Sequence, residues 1–211
     1  EILALRSKRL TPKQIARKLG LRVSQVSCVI KASAQKSAIT RAKTGELAPV
    51  AQCCLNTTSI EQLLSAHESV NEPSETEELG GLAMVLVART TGYERFVVCT
   101  YLVDYWCLGL KDTLGPKQFN GIKYREFLQM AYRPFPDGYQ EITLEQAQAI
   151  VYGGINYADS LGFSPHRDFE QTRSHLGSWS GQSQLKFGRQ GKPFFISGPY
   201  DDPTHILEIL T

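Results

Sequence analysis

Four side chains between residues 104 and 168 are of the types that a divalent cation attracts. Asp104 closes a hydrophobic run, Lys111 and Asp112 follow a few residues on, and His166-Arg167-Asp168-Phe169-Glu170 adds an imidazole and two acids, with His175 nearby in sequence. Carboxylates at strand ends are where metal-dependent nucleases hold their ions. A fold that joined Asp104 and Asp112 to His166 and Asp168 would therefore make a Mg²⁺ or Mn²⁺ site. Each residue also has a purely architectural reading. Asp104 can satisfy backbone donors at a strand end, Asp112 can cap a turn, and an acid at Asp168 is favoured near a helix N-terminus. None of the spacings has the specificity of a recognised catalytic motif, so no catalytic residue is assigned and both readings stand.

Other chemistries have less support. The five cysteines, Cys28, Cys53, Cys54, Cys99 and Cys107, form no C-x-x-C and no regular framework. A reduced, cytoplasmic setting is the expectation. Adjacent Cys53 and Cys54 cannot readily give two ligands to one tetrahedral zinc, and a redox-sensing role for either requires an exposed, electropositive position. Cys99 and Cys107 fall in apolar patterns and read as core. Gly188-Arg189-Gln190-Gly191-Lys192 precedes Pro193 and strand-like residues, so it reads as a tight hairpin and not as a phosphate cradle. Aromatic residues such as Tyr101, Trp106, Tyr152 and Phe194 are expected mostly in the core, with a ligand pocket as the alternative. No cofactor is expected outside the metal alternative.

The chemistry with the strongest signal is electrostatic. The 211 residues carry a net charge of only +2, but residues 1–43 hold eleven lysines or arginines against Glu1 alone, a net +10, which leaves −8 on the remainder. Such asymmetry marks a module that meets a polyanion, joined to a domain that does not. Within that module Thr11 and Gln14 have capping-box spacing, Pro12 sits at the first helical position, and Leu10 and Ile15 occupy hydrophobic-staple positions. Ile15, Ala16 and Leu19 form one apolar face, Gly20 supplies a sharp turn, and Leu21, Val23, Val26, Val29 and Ile30 are expected to be the buried side of a second helix.

Residues 11–31 resemble the helix-turn-helix of bacterial repressors, resolvases and transposases, with alanine four before the glycine and apolar residues six and nine after it. The resemblance implies that the second helix docks in the major groove of double-stranded DNA. Arg22, Ser24, Gln25, Ser27 and Cys28 would then face bases or phosphates, Gln25 reading adenine, while Lys13, Arg17, Lys18 and Lys31, and the tail through Lys36, Arg41 and Lys43, would neutralise phosphates. Many relatives place Ser or Thr where Arg22 stands, so the second cap is expected to be weaker, with Leu21 and Val26 positioned as a compensating staple.

Positioning these residues requires three regions: a basic helical module over 1–43, a linker with a short helix over 44–79, and an α+β domain over 80–211. The linker reading rests on Asn71-Glu-Pro-Ser-Glu-Thr-Glu-Glu78 and a short amphipathic stretch at Ile60–Leu64. In the last region Leu82–Ala88 and Phe96–Val103 read as an antiparallel hairpin, and Tyr124–Tyr132 as a helix. Thr143 and Gln146 make a second capping box, which opens a helix running to Gly162. Leu185–Phe187 and Pro193–Ser197 read as a second hairpin, and Asp202-Pro203 as the start of a last helix. The expected fold is α+β: N-terminal helices, a linker, then a sheet with helices on one face. Three stretches, Tyr101–Asp112, Tyr152–Glu170 and Gly188–Pro203, resemble a domain of uncharacterised bacterial proteins, which implies no activity.

The expected function is sequence-specific binding of double-stranded DNA, as a transcription regulator or assembly factor. The C-terminal domain would serve oligomerisation, partner binding or sensing, giving a homo-oligomer or a protein partner and no membrane association. The alternative is a metal-dependent nuclease or recombination factor targeted by the same reader.

Overall fold

A computed structural model describes residues 1–8, 10–30, 32–33, 47–64, 80–179, 181 and 183–210. The chain divides into two compact units, Glu1–Ala48 and Pro49–Thr211. Among the described residues the architecture is mixed α+β, with eight helices and one five-stranded antiparallel sheet.

In the first unit α1 (Ile2–Ser7), α2 (Pro12–Leu19) and α3 (residues 23–30) surround a small core of Ile15, Ala16 and Val26. Ile2, Leu5, Leu10, Leu19 and Ile30 pack around it. The Thr11 capping box forms as its spacing predicts: Gln14 N donates to the Thr11 hydroxyl, and Thr11 N donates back to Gln14 Oε1 at 2.8 Å.

The second unit runs β1 (Val50–Asn56), α4 (Thr57–Leu63), β2 (Leu82–Gly92), β3 (Arg95–Asp104), β4 (Gly109–Asn120), α5 (Gly121–Tyr132), β5 (Tyr139–Glu141), α6 (Leu144–Ser160), α7 (Phe169–Leu176) and α8 (Pro203–Leu210). The sheet order is β4-β3-β2-β1-β5, and every neighbouring pair is antiparallel. The expected β2–β3 hairpin is present, and so are the α5 segment and the Thr143 capping box.

Three expectations are corrected. Residues 44–79 are not simply a linker, because Val50–Asn56 is a strand bonded to both β2 and β5. Its Asn56 side chain is buried and stitches it to β2, accepting from Met84 N at 2.8 Å. The short helix of that region does form, while Asn71–Glu78 lies outside the described residues. Helices cover both faces of the sheet, not one. Cys53, Leu55, Val85, Val87, Tyr101 and Val103 face α6 and α7, whereas Cys54, Leu86, Ala88 and Val98 face α5. Residues 183–198, all described, form no strands: their β-pairing is a single bridge between Arg189 and Lys192, and Gly188 N and Phe194 N donate instead to Tyr105 O and Trp106 O.

His175 and Leu176, the last two residues of α7, are buried, and their carbonyls have no further helical turn to accept from. Side chains supply the donors. Tyr101 Oη donates to Thr172 O at 2.9 Å, Arg89 Nε to His175 O at 2.7 Å, and Gln148 Nε2 to Leu176 O at 2.9 Å. Tyr152 Oη donates to Gly177 O at 3.0 Å. His175 itself reaches back to the sheet, its Nε2 3.1 Å from Val87 O.

Burial holds the His175 imidazole below its ordinary pKa of 6.5, reinforced by the nearby Arg89 charge and opposed by the Val87 carbonyl. The unfolded chain therefore takes up this proton at a higher pH than the fold does. Stability is present above the unfolded value and is lost as pH falls from about 6.5 toward the folded value. The urea midpoint is expected to drop between pH 7.5 and 5.5, and to drop less in His175→Gln, whose amide keeps a donor for Val87 O. Equal drops in the two proteins would show that His175 is not held neutral.

Candidate functional site

The basic unit presents one helix in an unusual way. Gly20 ends α2 in the left-handed conformation, φ 65° and ψ 26°, which a residue without Cβ adopts without strain. Its N–H and that of Leu21 both reach Ala16 O, so the chain reverses within two residues. α3 is then anchored by Val26, fully buried, and Ile30, partly buried. Arg22, Ser24, Gln25, Ser27 and Cys28 are all exposed, as are Lys13, Arg17 and Lys18 on α2. Lys31, Lys36, Arg41 and Lys43 lie outside the described residues.

Leu21, Val23 and Val29, expected to be buried, are 38%, 42% and 41% exposed. Three short helices cannot cover an apolar stripe that wide, and only the 26/30 pair reaches the core. The expected Leu21 staple is correspondingly weak. A different device holds the start of α3: Arg22 N donates to Gln25 Oε1 at 3.0 Å, the reciprocal half of a capping box whose hydroxyl Arg22 cannot provide. Gln25, expected to read a base, is thus engaged with the backbone, with its amide nitrogen as the remaining donor group. The spacing of Arg22 and Gln25 carried this signal.

The four metal candidates are held apart in function. Asp104 is buried, and its Oδ1 accepts from Trp106 N and Cys107 N, both at 3.0 Å, organising the β3–β4 turn. Burial raises its pKa, against the lowering effect of those N–H groups and of Lys111. Asp112 is exposed on β4 opposite Leu102, and its Oδ1 accepts from Thr113 N at 2.8 Å. His166 and Asp168 lie at the start of α7, Nδ1 to Oδ2 being 4.0 Å, and Asp168 Oδ1 also accepts from Gln171 Nε2. Among the described residues no group of three or more His, Cys, Asp or Glu side chains is placed to hold a metal ion. No helix among them is long and apolar enough to cross a membrane.

Cys53 and Cys54 alternate onto opposite faces of β1, and both are buried. Burial pushes their thiols up to about 11 and about 12, and does the same for Cys99 at about 12 and Cys107 at about 11. Such groups stay protonated and shielded, contrary to what a redox sensor needs. Cys28 alone of the five is exposed.

Two predictions follow from this geometry. Gln25→Ala is expected to remove about 1 kcal/mol from α3, speeding exchange of the 23–30 amides by about fivefold. Gln25→Glu is expected to keep their protection, and unchanged exchange in the alanine variant would refute the cap. In the native protein a thiol reagent is expected to modify Cys28 while the other four react at least about a hundredfold more slowly. Rapid modification of Cys53 or Cys54 would contradict their burial. No protein-family model, curated protein or solved structure matches this chain.

Proposed function

We propose that the N-terminal unit is a helix-turn-helix that binds double-stranded DNA, with α3 as the recognition helix. The observation that carries the reading is the presentation of α3: a left-handed glycine turn leads into a helix anchored on Val26 and Ile30, which leaves its other sides open. That helix lies within a segment of net charge +10. Arg22, Ser24, Ser27 and Cys28 are the side chains available to base edges, Gln25 adding its amide nitrogen. Lys13, Arg17 and Lys18 are available to phosphates.

One such helix covers only a few base pairs, so useful specificity requires two readers on adjacent half-sites or recruitment into a larger complex. We assign that pairing or partner role to Pro49–Thr211, whose overall charge opposes direct contact with DNA. The protein is then a regulator or an assembly factor.

Fluorescence anisotropy with random duplex DNA across a salt series tests the reading. Affinity is expected to fall steeply as salt rises, and Arg17→Ala/Lys18→Ala/Arg22→Ala to weaken binding at least about tenfold and reduce the salt slope by about 2–3. If the wild-type chain does not bind duplex at low salt, the proposal fails.

A further inference from the structure

At the β3–β4 end of the sheet lies a pocket of about 190 Å³ that DNA binding does not use. Two conspicuous stretches of the sequence meet there: Asp104, Trp106 and Lys111 from the first, Phe194 and Ile196 from the second, with Leu82 completing the wall. The apolar side is held rigidly. The Trp106 indole lies flat on Gly81, where an added Cβ would fall 2.5 Å from the ring. Trp106 O accepts from Phe194 N at 3.1 Å, and the two rings meet edge to face at 5.7 Å. Arg189 stacks above both rings, 5.4 Å and 4.6 Å from their centroids, and thereby fixes the pair further.

The polar side carries both signs of charge. Asp104, 6% exposed, is one of the lining residues. Lys111 donates one N–H to Asp201 Oδ2 at 2.6 Å, and that same oxygen accepts from Gly198 N at 2.7 Å. An ammonium carries three N–H donors, so two beyond the Asp201 bond are left to Lys111 where it lines the pocket. A cavity of about 150 Å³ admits benzene, and drug-sized ligands need about 300 Å³ or more. The space therefore suits a molecule of amino-acid size.

We propose that this pocket binds a small zwitterion, a free α-amino acid with an aliphatic side chain. Its ammonium pairs with Asp104, its carboxylate with Lys111, and its side chain lies against Trp106 and Phe194. A ligand with one charge forgoes one of these two charge-assisted contacts, so the zwitterion binds most tightly. The assignment involves only Pro49–Thr211 and does not depend on DNA binding.

The test is thermal melting and calorimetry of the full chain with L-valine, L-leucine and L-methionine. Two analogues of leucine accompany them: 3-methylbutylamine, which lacks the carboxylate, and 4-methylpentanoate, which lacks the ammonium. At least one amino acid is expected to bind saturably and raise the melting temperature by about 3 °C or more. Each analogue is expected to bind at least tenfold more weakly than leucine, and Lys111→Met to bind the amino acid at least tenfold more weakly than wild type. No response to any of the three amino acids overturns the proposal. So does an analogue that binds as tightly as leucine, or wild-type affinity in Lys111→Met.

Discussion

The second unit depends on one constraint: a helix C-terminus brought inside the protein, whose carbonyls must be answered by side chains. Water would normally do this at no structural cost. Here the donors are Tyr101 and Arg89 from the sheet and Gln148 and Tyr152 from α6, so the sheet and the two helices on that face are fastened at one place. The guanidinium suits the position for two reasons. It brings a forked set of donors, and it is a cation at the negative end of a helix dipole. With both sheet faces otherwise apolar, this polar seam gives α7 a unique register against β2 and β3, which oily packing alone specifies less sharply.

Local chemistry was readable without the structure, and long-range pairing was not. Thr11 with Gln14 and Thr143 with Gln146 start helices because a hydroxyl and an amide three residues apart satisfy each other wherever the chain goes. Asp202 with Pro203 follows the same logic, Asp202 Oδ1 accepting from Thr204 N at 3.1 Å. The β1 segment offered no comparable cue. Gln52 and Asn56 interrupt its apolar character, and what makes it a strand is β2 on one side and β5, nearly ninety residues later, on the other. Arg89 was equally opaque, since its partners are backbone carbonyls that no spacing announces.

The candidate functional residues divide in the same way. The turn at Gly20 and the buried Ile15, Ala16 and Val26 were legible because they follow a helical period about a residue that tolerates positive φ. The outward position of Val23 and Val29 was not, because it reflects how little core so small a unit can build. Among the acids, Asp104 drew attention by its place at a strand end, and it is indeed the one that is buried. Its Oδ1 nevertheless serves the turn that follows, and Asp112, His166 and Asp168 each answer to a neighbour in sequence. Candidate ligands gathered by residue type alone need not share a place in the fold.

The separation between Arg89 and the carbonyls it meets has a consequence for the birth of the chain. Synthesis delivers the four long strands first, and His175 and Leu176 leave the ribosome some eighty-six residues after Arg89. Until then the His175 and Leu176 carbonyls that Arg89 meets in the fold are not yet available to it. Docking that face early would strand a charge, so the sheet has reason to remain hydrated until α7 arrives. The cation that fastens the finished layers thus ties the closing of that face to the last helix that packs on it.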